Sequence, residues 1–299
     1  MRYFLALALA LGFTTAAAAA PVNAVGVENE YADVIAQIGG KYVSVTAIET
    51  DPNTDPHSFE VSPKVAERIA AADLVVENGL GYDDWVDKML AASPNPARKL
   101  INVQQLRGLP DDTPNPHLWY DPATMPAVAA ALADDLSALR PEDAAYFHAN
   151  AKTFIASLQP WLTAIAAFKV DFPGTAVAVT EPVGDYMLQA VGADIATPFS
   201  LQAAIMNGTD PAPQDVTAQN ALFANHQVKV FVYNQQVTDP LTDAFLALAR
   251  RSKIPVVGVY ETMPMGYTYQ SWMLAEVAAL RKAVGAKIST ETLLPEAQK

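Results

Sequence analysis

The chain has 299 residues, with 19 lysines and arginines against 32 aspartates and glutamates, a formal net charge of -13 and no cysteine. The acidic balance argues against nucleic acid or an anionic membrane as partner. The lack of cysteine excludes disulfides, thiolate metal sites and thiol catalysis. Arg2, the apolar run Phe4 to Phe13 and the small residues Ala16 to Ala20 read as a secretory signal, with cleavage between 18 and 24. That run is shorter than the ~20 apolar residues of a membrane span. No cysteine follows it for a lipid, so a soluble, periplasmic monomer without a covalent anchor is expected. The remaining chain of about 275–280 residues is long enough for two domains.

Short β-type runs alternate with longer helical patterns, which predicts an α/β fold with mostly parallel sheets flanked by helices. In the first half, strands are expected at Val25–Glu28, Tyr42–Ile48, Leu74–Glu77 and Leu100–Val103. Helices are expected at Tyr31–Ile38, Ser62–Ala71 and Tyr82–Ala92, the second opening on a serine cap followed by proline. Pro122–Leu139 is alanine- and leucine-rich and helical. Pro141–Phe168 predicts a long helix with an apolar stripe of Ala145, Phe147, Ala151, Phe154, Leu158 and Leu162, kinked or broken at Pro160. The second half repeats the alternation. Its strands are expected at Ala176–Thr180, Val228–Tyr233 and Pro255–Tyr260, and its helices at Gly184–Val191, Val216–Asn225, Leu241–Arg250 and Tyr269–Val284. The chain thus divides into a signal (1–24), an N-terminal lobe (25–140), a linking spine helix (141–170) and a C-terminal lobe (171–299).

Two of the four histidines lie in matched settings, Thr54-Asp55-Pro56-His57-Ser58-Phe59-Glu60 and Pro114-Asn115-Pro116-His117-Leu118-Trp119-Tyr120-Asp121. Proline stiffens the loop before each imidazole, leaving little entropy to lose on binding, which suits a metal ligand. In the second half, Glu181 and Glu261 each follow a strand immediately, where open parallel sheets place their ligands. Two imidazoles and two carboxylates suit a divalent first-row cation: zinc and iron accept imidazole, and carboxylate admits manganese. Glu181 reads equally well as a helix cap. Glu261 has a rival in Met263-Pro264, and Asp239 or water could fill its place. Asp185 and Asn234 are further polar residues near strand ends. His148 and His226 read as surface residues, and Trp119 as a wall of the site.

Three segments resemble the periplasmic solute-binding proteins of zinc and manganese ABC importers: Thr54–Leu90, Asn115–Pro122 and Val179–Ile195. The resemblance implies two α/β lobes joined by a spine helix, with one metal held between them. It assigns His57 and His117 to the N-lobe ligand positions and Glu181 to the third. Glu261 falls at the fourth, commonly an aspartate before proline, and the histidine- and acid-rich loop of many zinc importers is missing. The implied function is high-affinity capture of one divalent transition metal, Zn2+ or Mn2+ with Fe2+ a third option, and delivery to a permease. Release would follow from docking and separation of the lobes. The alternatives are an exported metallohydrolase using the same cluster, against which no His-Glu-x-x-His motif occurs, and a metal-chelate binding protein.

Overall fold

The structure, a computed structural model, describes residues 20–293. Four parallel strands, β1 (Val22–Glu28), β2 (Val43–Glu49), β3 (Leu74–Glu77) and β4 (Lys99–Asn102), form one sheet in the order β2-β1-β3-β4. A second parallel sheet of β5 (Ala176–Val179), β6 (Asp194–Ile195), β7 (Val230–Asn234) and β8 (Val256–Val259) repeats that order as β6-β5-β7-β8. In each sheet the strand order reverses beside the first strand, which opens a crevice at the carboxyl ends. The expected two-lobed α/β architecture is therefore present.

β1 starts at Val22, three residues before the expected start, because Val22 and Ala24 are buried in the core. Most of the expected export signal lies outside the described residues. Cleavage within Val22–Ala24 would remove part of this strand, so only the earlier part of the expected window is compatible with the sheet. β4 ends at Asn102, whose side chain accepts from the Gln105 N–H and starts the short helix Val103–Leu106. That helix was not anticipated, nor were two further elements: the two-residue β6 is too short to show alternation, and the helix Phe199–Met206 lacks an apolar stripe.

The expected long helix is two. Ala144–Ser157 and Gln159–Asp171 meet at Leu158, with Pro160 in the first turn of the second. Proline has no N–H to give an internal hydrogen bond, so the chain uses it where none is required. The first helix packs on Asn29–Gly39 and Thr124–Leu139, the second on the C-terminal helix Tyr269–Ala286. Phe147, Ala151, Phe154 and Leu158 are buried as the stripe requires; Ala145 is exposed and Leu162 only partly buried, with its neighbour Trp161 on the inward face of the second helix.

One apolar core runs through both halves, joining Val22 and Val76 to Val177 and Val230 through Trp119, Trp161 and Trp272. Hydrogen bonds stitch the same boundary: Asn29 exchanges two with the Met263 backbone, Tyr120 donates to the Tyr260 carbonyl, and Tyr269 donates to the Trp119 carbonyl. Among the described residues no helix is long and apolar enough to cross a membrane.

Candidate metal centre

His57 rides on a single turn, Pro56–Ser58, in the loop after β2. Asp55 caps that turn by accepting the His57 N–H at 2.8 Å. The backbone is at the surface but the ring points inward, leaving the side chain 23% exposed. His117, fully buried, lies beyond β4. Asn115 Oδ1 meets both its backbone N–H, at 3.0 Å, and its ring Nδ1, at 2.8 Å. A proton on Nδ1 leaves Nε2 with a free lone pair, the arrangement a metal-binding imidazole needs. Trp119 packs edge-on against this ring with centroids 5.5 Å apart, as the wall expected from sequence.

Glu261 enters from the other half, two residues beyond β8, at 1% exposure. Its Oε2 lies 3.2 Å from Nε2 of His57 and 3.2 Å from Nε2 of His117, and accepts the Tyr82 hydroxyl at 3.0 Å. Among the described residues these three are the one group whose donor atoms converge, all within 4.8 Å of one another. Donor atoms around a first-row cation stand about 3.1–3.4 Å apart in four- or six-coordinate geometry. The two observed separations fall in that range.

Glu181, also buried, sits just outside this triplet. Its Oε1 accepts from Asn234 Nδ2 at 3.1 Å, while its Oε2 is buried without a hydrogen-bond partner. It is not capping the helix Asp185–Ala190, whose first turn receives no side-chain cap. Asp239 is exposed and committed to a capping box with Thr242, so it does not compete with Glu261. Met263 contributes backbone hydrogen bonds to Asn29. His148 and His226 are surface residues, as expected.

Of the residues that hold the acids, sequence reasoning marked Asn234 only as a polar residue near a strand end and passed over Gln236. Asn234 Nδ2 donates to Glu261 Oε1 at 2.7 Å as well as to Glu181. Gln236 Oε1 accepts the backbone N–H groups of Glu261 and Thr262 at 2.6 and 2.8 Å. Asn234 ends β7 and Gln236 follows it, and the Tyr-Asn-Gln-Gln run at that strand end was the available signal. A deeper group of acids was also invisible: Glu28, Glu30, Glu49 and Asp83 are all buried, and the oxygens of the three glutamates lack hydrogen-bond partners. Glu28 and Glu49 face each other across β1 and β2.

Charge follows from this packing. Burial would raise the Glu261 carboxyl, but hydrogen bonds from His117 and His57 hold it below the usual carboxylate range. His57 loses solvent yet is raised by its bond to Glu261, so the carboxylate favours its protonated form. His117 is lowered by full burial, which outweighs Glu261. Glu181 is raised by burial and then by the Glu261 charge. Burial lifts Glu49 to about 9 and Asp83 to about 6, and raises Glu28 and Glu30 well above the ordinary value.

A family model described as zinc-uptake complex component A, periplasmic, matches residues 28–283. The chain belongs to this family. It is 27% identical over 134 residues to the manganese-binding lipoprotein MntA of Halalkalibacterium halodurans, covering 42% of this chain and 43% of that protein. It is 27% identical over 142 residues to MntA of Bacillus subtilis, covering 44% of each. The matches therefore span less than half the length of these curated relatives. In three dimensions it is similar to the periplasmic zinc-binding protein TroA of Treponema pallidum, with a TM-score of 0.74 and 15% identity over 91% of this chain and 100% of that one. At that identity the likeness speaks for the fold.

Proposed function

We propose that the protein captures one divalent transition cation, zinc or manganese with iron(II) as a third candidate cargo, in the periplasm and delivers it to an ABC importer permease. The observation that carries the proposal is the convergence of two imidazole Nε2 atoms and one carboxylate oxygen from opposite lobes, at spacings that suit a bound first-row cation. On this reading His57, His117, Glu181 and Glu261 are the ligands. The unpartnered Oε2 of Glu181 supplies the fourth donor, since a buried carboxylate oxygen without a partner is costly unless a cation or proton satisfies it. Two carboxylates offset the two charges of the cargo, and the neutral imidazoles add affinity without excess charge. The names of relatives support the class of cargo: MntA is manganese-binding and TroA zinc-binding.

Binding then exchanges protons for a cation. His57 and Glu181, both raised, give up protons to bind, while His117 is lowered by burial and oriented by Asn115. Four protein donors in a buried site favour holding over turnover, because catalytic zinc keeps a position open for water. The protein acts on this reading as a non-enzymatic monomer, exported by its signal and free of covalent lipid, since its sequence holds no cysteine. Elemental analysis of protein purified without chelator, followed by competition titrations with zinc and manganese, tests the proposal. One bound cation, lost in both His57→Ala and His117→Ala, is expected. A protein that retains no metal and binds neither cation more tightly than micromolar refutes it.

A further inference from the structure

Asn234 is the last residue of β7 and is fully buried between the two acids that follow the neighbouring strands β5 and β8. An amide side chain offers two N–H donors and one carbonyl acceptor. Both donors are spent on carboxylates, at 3.1 Å on Glu181 Oε1 and 2.7 Å on Glu261 Oε1. The carbonyl accepts the Gln236 N–H at 3.0 Å, and the Asn234 backbone N–H donates to Thr180 Oγ1 at 2.9 Å. Flipping the amide would set its oxygen against two carboxylates and its NH2 group against an N–H donor. The orientation is therefore fixed by its surroundings.

Asn234 thus ties one oxygen of each carboxylate and leaves the other to the site. Oε2 of Glu261 faces the two histidines and accepts the Tyr82 hydroxyl, and Oε2 of Glu181 is the buried one without a partner. We infer that Asn234 determines cation specificity, by tethering one oxygen of each acid so that the site presents two nitrogens and two oxygens, the four-donor set that favours zinc over manganese. The inference rests on the metal-capture reading above. Zinc is satisfied by four tetrahedral donors, whereas manganese favours six-coordinate, oxygen-rich surroundings. Bidentate carboxylates would supply those extra oxygens, and the asparagine withholds them. Charge does not enter the choice, since both cations are divalent.

Cobalt(II) bound alone is a direct probe, because its visible absorption is intense in four-coordinate sites and weak in six-coordinate ones. The wild-type protein is expected to give the intense spectrum. In Asn234→Ala, with Asn234→Ser as a second variant should the first fail to fold, the cobalt spectrum should weaken. Zinc affinity should fall at least tenfold while manganese affinity changes less than threefold, so the zinc-to-manganese ratio drops. A residue that only supported the fold would weaken both cations alike and leave the spectrum intense, and that result overturns the inference. A weak, six-coordinate cobalt spectrum in the wild type also overturns it, whatever the variants do, while leaving capture intact. A wild type that binds no zinc, manganese or cobalt removes the capture reading and this inference together.

Discussion

Glu261→Gln is the sharpest perturbation of the centre, because it keeps shape and removes charge. The native carboxylate receives Asn234 Nδ2 on Oε1 at 2.7 Å and faces both imidazoles and Tyr82 with Oε2. A glutamine must place its carbonyl oxygen on one side and its NH2 group on the other. Asn234 is a donor whose orientation Gln236 fixes, so the carbonyl is forced towards Asn234 and the NH2 group towards the histidines. The variant therefore loses an anionic ligand and also puts a non-ligating nitrogen where the cation would sit. A weakened ligand alone would cost about tenfold, ~1.4 kcal/mol; the forced orientation raises the expected loss to at least a hundredfold, ~2.7 kcal/mol. Chelator competition with zinc at pH 7.5 measures it. Glu261→Asp, which keeps the charge and shortens the reach, should lose less. Affinity in Glu261→Gln within threefold of wild type would refute both the ligand assignment and the orientation argument.

Metal affinity should fall at least tenfold from pH 7.5 to 5.5, since His57 titrates above its ordinary ~6.5 and must lose its proton to bind. With His117 lowered but Glu181 raised, the slope should exceed one proton per metal; a flat profile in the same competition assay would contradict it. Glu49 protonates near 9 when folded against 4.5 when unfolded, so the folded state keeps a proton the unfolded state releases and stability declines as pH rises through that window. Glu49→Gln should flatten the decline between pH 5 and 8 by on the order of 3 kcal/mol, read from denaturation midpoints; parallel wild-type and variant curves would count against it. At a hundredfold excess over Kd, metal should add about 2.7 kcal/mol, or roughly 5–11 °C in Tm. His57→Ala should abolish that gain and leave the metal-free melt nearly unchanged, whereas His117→Ala should also lower the metal-free melt because its ring is buried against Trp119 and Tyr82.

The sequence carried the alternation of strands and helices, the strand β3 to the residue, and three of the converging side chains. The two histidines were legible because Asp-Pro-His and Asn-Pro-His restrict the backbone locally, and Glu261 because it stands just beyond an apolar strand. What was hidden depends on distance along the chain. Tyr82 meets Glu261 across 179 positions, and Gln236 meets Thr54 across 182. No local periodicity encodes such pairs. Glu28, expected at the end of a strand, and Glu30 carry no local mark of burial, and the packing around β1, between β2 and β3, buries them. Pro160 signalled an interruption, but a proline equally suits a kink or a first turn. Where the helix stops, at Leu158, follows from which neighbours each half packs against.

The same contacts bear on how a cation leaves. Separating the lobes as bodies would expose the continuous core and break the Asn29–Met263, Tyr120–Tyr260 and Tyr269–Trp119 hydrogen bonds. The His57 loop is held far more lightly. Apart from the histidine itself, the described hydrogen bond from this loop to the C-terminal half is Gln236 Nε2 to the Thr54 carbonyl, at 2.7 Å. A cavity of about 150 Å³ lies beneath the loop, lined by Glu49, Asp55, Phe59 and Thr262 among others, and gives it space to move. Gln236 couples the two sides, since the amide that holds Thr54 also accepts the N–H groups of Glu261 and Thr262. Removing it in Gln236→Ala costs net hydrogen bonding of about 0.5–1.5 kcal/mol per bond. Metal release, timed by mixing loaded protein with excess chelator, should therefore accelerate about tenfold or more, with association changed much less. If release is unchanged while a crosslink that fixes the lobes but spares the loop stops it, the cation leaves by lobe separation and the loop is not the gate.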